Sequence, residues 1–106
     1  MEDDSVLIQA FGKSPKMRII DFFLDNKLFD FSKKEIIEEV GMSKTTFYKV
    51  WKDIENFGIV KVSRKYGKTK LYKLNRENSM VKGLIKIERR LIKEPIPETE
   101  KVKLST

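Results

Sequence analysis

The chain has no cysteine and no histidine, and only three prolines and five glycines among its 106 residues. The missing thiols exclude a disulfide framework and a thiolate metal site, and they agree with a reducing, cytoplasmic setting. The missing imidazoles exclude Ser-His-Asp and Cys-His catalysis and would leave any zinc site with carboxylates alone, a poor ligand set for that ion. Long apolar runs are absent as well. No run exceeds three residues, as at Val6 to Ile8, against the roughly 18 that a membrane span requires. Glu2, Asp3 and Asp4 stand where a secretory signal would carry basic residues, so neither export nor membrane insertion is expected. Asp, Glu, Lys, Ser, Thr and Tyr remain as possible catalytic groups. They form no recognisable constellation, so the chain reads as a non-enzyme without metal or cofactor.

What the sequence has in excess is positive charge, and it is localised. Between Ser43 and Lys73 stand nine basic residues (Lys44, Lys49, Lys52, Lys61, Arg64, Lys65, Lys68, Lys70, Lys73) against Asp53 and Glu55, a net of +7. The rest of the chain balances, with 14 basic and 14 acidic residues. A one-sided block of this kind is the electrostatic footprint of a polyanion binder, although a solvated lysine-rich face would look the same from charge alone.

The length fits one domain with a modest core. A short leading helix is expected over residues 3 to 11, with Val6, Leu7, Ala10 and Phe11 at helical spacing and Gly12 as its stop. Ser14 and Pro15 give the next start signal, a cap followed by a proline whose missing N–H costs nothing. That helix runs to about Asn26 and offers Met17, Ile19, Ile20, Phe23 and Leu24 to a core. Leu28, Phe29 and Phe31 read as a brief extended link. Ser32-Lys33-Lys34-Glu35 is a capping box, and the short helix it opens ends at Gly41. Ser43 caps a further helix to Phe57, with Gly58 as its stop. Two capped helices so close together must cross steeply, which is the helix-turn-helix arrangement.

Beyond Gly58 the period changes to two. Ile59 to Lys65 and Thr69 to Asn75 are predicted strands, and Tyr66-Gly67-Lys68 is the turn of a β-hairpin. A last helix is predicted from about Glu77 to Glu94. It carries Met80, Leu84, Ile87 and Leu91 in one apolar row and Val81, Ile85 and Ile92 in a neighbouring row interrupted by Glu88. One row can cover the domain's own core while the other meets a second copy; Val81, Leu84, Ile85 and Ile92 are the expected dimerisation residues, the alternative being one wide stripe on a monomer. Pro95 and Pro97 end the helix. The chain thus divides into a domain over 1–94 and a charged tail over 95–106 that is expected to be mobile.

On the helix begun by Ser43, Phe47, Val50, Trp51, Ile54 and Phe57 form an apolar face. Thr45, Tyr48, Lys49 and Lys52 take the opposite side. A helix exposed only to water would more often alternate charge signs for i, i+4 pairing. Hydroxyl, phenol and ammonium groups on one face instead suit a major groove, where threonine can meet base edges, lysine guanine or phosphate, and tyrosine phosphate. Ser43 reads first as a cap, Thr46 could pack between helices, and Tyr48 divides between phosphate contact and partial burial. Arg64, Lys65, Lys68 and Lys70 surround the hairpin turn, either as protection of an edge strand or as the basic tip of a nucleic-acid-binding wing.

The order helix, short strand, helix, turn, helix, hairpin, helix is that of the winged helix-turn-helix, an α+β fold that is mainly α with a β-hairpin. The segments SPKMRIIDFFLDN, FDFSKKEIIEEVGMSKTTFYKVWKDIENFGIVKV and RKYGKTKLYKLN resemble those of small archaeal winged-helix transcriptional regulators of the broad ArsR/MarR-like group, over about residues 12 to 92. The resemblance implies a recognition helix from Ser43 to Phe57 and a wing from Arg64 to Lys70. It also implies duplex DNA as partner and a homodimer built on terminal helices. The candidate DNA-binding set is therefore Ser43, Lys44, Thr45, Thr46, Tyr48, Lys49, Lys52, Arg64, Lys65, Lys68 and Lys70. The lack of cysteine and histidine departs from the metal-sensing members, and no effector is specified. A protein-interaction module docking an acidic partner is the alternative function, and RNA is disfavoured because its A-form major groove does not admit a helix.

Overall fold

In the computed structural model, residues 4–93 are described. They form α1 (Val6–Phe11), α2 (Pro15–Asp25), β1 (Asp30–Phe31), α3 (Lys33–Val40), α4 (Lys44–Asn56), β2 (Val60–Tyr66), β3 (Thr69–Leu74) and α5 (Ser79–Lys93). The expected tail over 95–106 lies outside the described residues. No helix among the described residues is long and apolar enough to cross a membrane.

Short polar side chains start the helices. Ser5, Ser14, Ser32 and Ser43 each accept a hydrogen bond from a first-turn amide of the helix that follows. The Ser32 box is complete, with Glu35 Oε1 accepting from the Ser32 amide at 2.8 Å and Ser32 Oγ from the Glu35 amide at 3.1 Å. Such a cap is worth about 1 kcal/mol. Asn78 does the same for α5, its Oδ1 accepting from the Met80 and Val81 amides. The helix therefore begins two residues later than its apolar spacing suggests.

Gly41 ends α3 at φ 74°, ψ 45°, the left-handed conformation that lets the chain reverse within three residues before α4. Arg18 of α2 donates to the Val40 carbonyl, satisfying one of the free acceptors at the same helix end.

The three strands form an antiparallel sheet in the order β1-β3-β2. Gly67 has φ 57° and no residue other than glycine among those described has positive φ, so only the first of the two turn residues, Gly67-Lys68, is left-handed. Pairing is regular from Val60↔Leu74 to Val62↔Tyr72 and then skips Ser63, so that Arg64 faces Leu71 and Lys65 faces Lys70. Ser63 is thus a β-bulge. Simple alternation from Val60 and Val62 would put Arg64 on the core side of the sheet and Lys65 on the outer side. The bulge exchanges them.

The core joins α1, α2, α3, α4 and the sheet around Trp51. The indole stacks on Phe47 (centroids 4.9 Å apart, planes at 22°) and meets Tyr72 edge-on at 5.0 Å and Phe23 at 6.4 Å. Leu7 and Ile8, rather than Ala10 and Phe11, are the buried residues of α1. Phe57, expected on the apolar face of α4, is 56% exposed because it lies past the last helical turn.

The assignment of α5's two rows also needs correction. Val81 is fully buried, and Leu84 and Ile85 pack against the domain's own core, so Val81 is not available to a partner. Glu88, which interrupts that row, points inward and is 8% exposed, its Oε1 paired with Lys27 Nζ at 3.2 Å. Ile92 continues the row by spacing beyond Glu88 but is 60% exposed. The apolar side chains turned outward are Met80, Ile87 and Leu91, joined at the end by Ile92.

Candidate nucleic-acid interface

The inner face of α4, Phe47, Trp51 and Ile54, is anchored in the core. Burying three large side chains there stabilises the fold by several kcal/mol and fixes which face is left outside. Lys44, Thr45, Tyr48, Lys49 and Lys52 are all exposed. Ser43 and Thr46 are engaged with each other. Ser43 Oγ accepts from the Thr46 amide at 3.1 Å and donates to Thr46 Oγ1 at 2.9 Å, which makes the pair the start of the helix and leaves Thr46 half-buried.

The acids near this face are occupied. Asp53 Oδ2 is 2.9 Å from Lys16 Nζ of α2. The Glu55 carboxylate lies near the Tyr72 phenol, which burial and then that charge push above its usual pKa. The outer face of α4 therefore presents uncompensated cations beside hydroxyls.

At the hairpin, Lys65, Lys68 and Lys70 are exposed, and Lys65 stands directly opposite Lys70 as Lys61 does opposite Lys73. Like charges so paired repel. Arg64 differs from its neighbours. Its guanidinium reaches back to Asp30 of β1 and also donates to the Tyr66 hydroxyl at 2.8 Å. Hydrogen bonds from Arg64 and then Ser63 lower the Asp30 carboxyl from its ordinary 3.8 to about 2. Of the wing residues expected to meet a polyanion, the lysines are exposed and in no ion pair among the described residues, whereas Arg64, also exposed, has its guanidinium tied back to Asp30.

Two cations that sequence reasoning left out join this surface. Lys33 and Lys34 of α3 lie across a cleft from Lys68 and Lys70. The signal for them is the sheet order. Because β3 is central and α3 packs beside it, the first turn of α3 comes to face the wing.

Four helices ahead of the β2–β3 hairpin, with β1 from between α2 and α3 completing its sheet and α3 and α4 joined through a left-handed glycine, define the architecture. The fold is a winged helix-turn-helix. Solved structures agree. HlyU from Vibrio cholerae N16961 matches with a TM-score of 0.58 at 24% identity, over 82% of this chain and 88% of that one. NadR in complex with 4-hydroxyphenylacetate matches with a TM-score of 0.56 at 17% identity, over 94% and 74%. A MarR-family transcriptional regulator from Silicibacter pomeroyi matches with 0.54 at 12% identity, over 92% and 69%. No family model matches the sequence, and no curated protein does. The comparisons carry no support for the archaeal side of the sequence resemblance.

Proposed function

We propose that the chain is a duplex DNA-binding transcriptional regulator that reads the major groove with α4 and lays its lysine-bearing wing on the backbone or minor groove. The observation that carries this reading is the outer face of α4. Thr45, Tyr48, Lys49 and Lys52 are exposed together, opposite a helix side locked in the core, with Lys65, Lys68 and Lys70 beside them on the hairpin. The helix supplies base contacts and the lysines supply the salt-dependent affinity. The likeness to transcriptional regulators is in keeping with this. The same reading implies a non-enzyme, and a homodimer formed through the outward row of α5, with Ile87, Leu91 and Ile92 at its centre and Leu84 at its edge.

Selection from a random duplex pool, followed by affinity measurements over a range of salt, tests the proposal. A palindromic selected site would report specificity and two-fold symmetry together. Lys49→Ala and Lys68→Ala should each weaken binding to all duplexes and reduce the salt slope by about one, whereas Thr45→Ala should change the preferred sequence. Absence of any retardation by duplex DNA at micromolar protein would overturn it and favour a module docking an acidic protein on the same surface.

A further inference from the structure

An open cleft of about 400 Å³ separates the first turn of α3 from the outer half of β3. Ser32, Lys33, Lys34, Lys68, Lys70 and Tyr72 line it, and no acidic residue does. Among the described residues none of these lysines is in an ion pair. Glu35, the carboxylate of the first turn of α3, is turned back onto the Ser32 amide and is already partnered. The amide end of α3 is itself largely satisfied by the capping box, so the lysine side chains carry the site.

Lys33 occupies the critical position. Its Nζ lies 5.5 Å from the ring centroid of Tyr48 and 5.8 Å from that of Tyr72, one ring belonging to the outer face of α4 and the other to β3. Two aromatic faces hold a cation better than one and restrict where a long flexible side chain places its charge. The ammonium is thereby set at the seam between helix and wing. Across the cleft, Lys70 stands opposite Lys65 in the ladder, a like-charge pair that an anion would relieve.

We infer that this cleft seats one backbone phosphate of the bound duplex, with Lys33 and Lys70 as its principal ligands. The proposal rests on the DNA-binding reading above and adds an anchor that belongs neither to α4 nor to the wing turn. The cleft is open, adjoins Tyr48 on one side and reaches Lys68 at the wing turn on the other. A strand edging the groove that receives α4 would run along that line. Compact ammonium groups on rotatable stems suit a phosphodiester, and the Ser32 and Thr69 hydroxyls add donors.

The test is duplex affinity over a range of salt, by fluorescence anisotropy, for the wild type, Lys49→Ala, and the double variant Lys33→Gln/Lys70→Gln. Thermal melts check that the double variant folds. The expected result is about a tenfold loss near 0.1 M salt and a slope smaller by about one, the loss of a single phosphate, with sequence preference unchanged. A loss of about two in slope would overturn the shared seat. A double variant that binds like wild type while Lys49→Ala is weakened would overturn the cleft and leave the DNA reading standing. A wild type that binds no duplex would overturn both. A melting shift with millimolar inorganic phosphate that disappears in the double variant, without any change in DNA affinity, would reassign the cleft to a free anion and overturn the proposal.

Discussion

Arg64 and Asp30 meet in a two-pronged contact, Nε to Oδ2 at 2.8 Å and Nη2 to Oδ1 at 3.2 Å, that ties the wing to the short strand ahead of the helix-turn-helix. Asp30 is itself anchored by pairing with Lys73 across the sheet. The guanidinium fork matches a carboxylate in both spacing and plane, so the contact fixes direction as well as distance.

This contact has a pH signature. The folded Asp30 carboxyl sits at about 2, below its ordinary 3.8, so the charged form is the one the fold prefers. Its stabilisation is complete above the unfolded carboxylate range, near pH 4, and is lost as pH falls through about 2. Asp30→Asn should lower the urea midpoint at pH 7. The gap between variant and wild type should narrow steadily in unfolding curves taken from pH 4 downward.

Asp25 carries the opposite sign. Burial first, and then Asp21 and Glu88, raise its carboxyl above 3.8, with Lys27 opposing. A raised folded pKa favours the protonated form, so the charged carboxylate weakens the fold at neutral pH and the penalty fades as pH falls through the raised value and then the ordinary one. Asp21 and Asp25 are also one helical turn apart, where like charges cost about 0.2–0.5 kcal/mol. Asp25→Asn should raise the melting temperature slightly at pH 7, and acidification should erase the gain.

Trp51 is 2% exposed and its Nε1 has no hydrogen-bond partner. Trp51→Ala should cost about 3–5 kcal/mol through the cavity left among Phe47, Phe23 and Tyr72. Trp51→Phe should cost much less, because the smaller ring keeps the stack and removes an unpaired donor. Urea denaturation of both variants checks the ordering.

The outward row of α5 gives a test of assembly. Leu91→Glu or Ile87→Lys should leave the monomer folded, since both positions are about 40% exposed, at 38% and 40%. Either should shift the sedimentation profile from dimer to monomer and weaken binding to a two-half-site duplex more than to a single half-site. A wild type that sediments as a monomer at all concentrations would remove the dimer from the proposed function.

Much of this architecture was legible in local chemistry. Serine caps, the glutamate of the capping box, Gly41 and the change of period after Gly58 each act within a few residues, and the helices and strands start and stop close to where these signals stand. The faces of α5 were not legible. Its apolar residues fill two adjoining rows, and only the packing of Val81 and Glu88 against the domain distinguishes inward from outward. The interface shows the same division. The outer face of α4 follows from helical spacing, whereas Lys33 reaches Tyr48 and Tyr72 through the fold, and Arg64 turns to Asp30, 34 positions earlier in the chain.

The extra residue at Ser63 has a consequence for how sequences of this kind are compared. A substitution scan along the hairpin should alternate between tolerant and sensitive positions, and the alternation should slip by one step at the bulge. Position parity counted from the base of the wing is therefore a false guide to its tip. Alignments that fit the two hairpin strands without a gap there would equate side chains on opposite faces, and would mistake the residue that braces the wing for one that touches its partner.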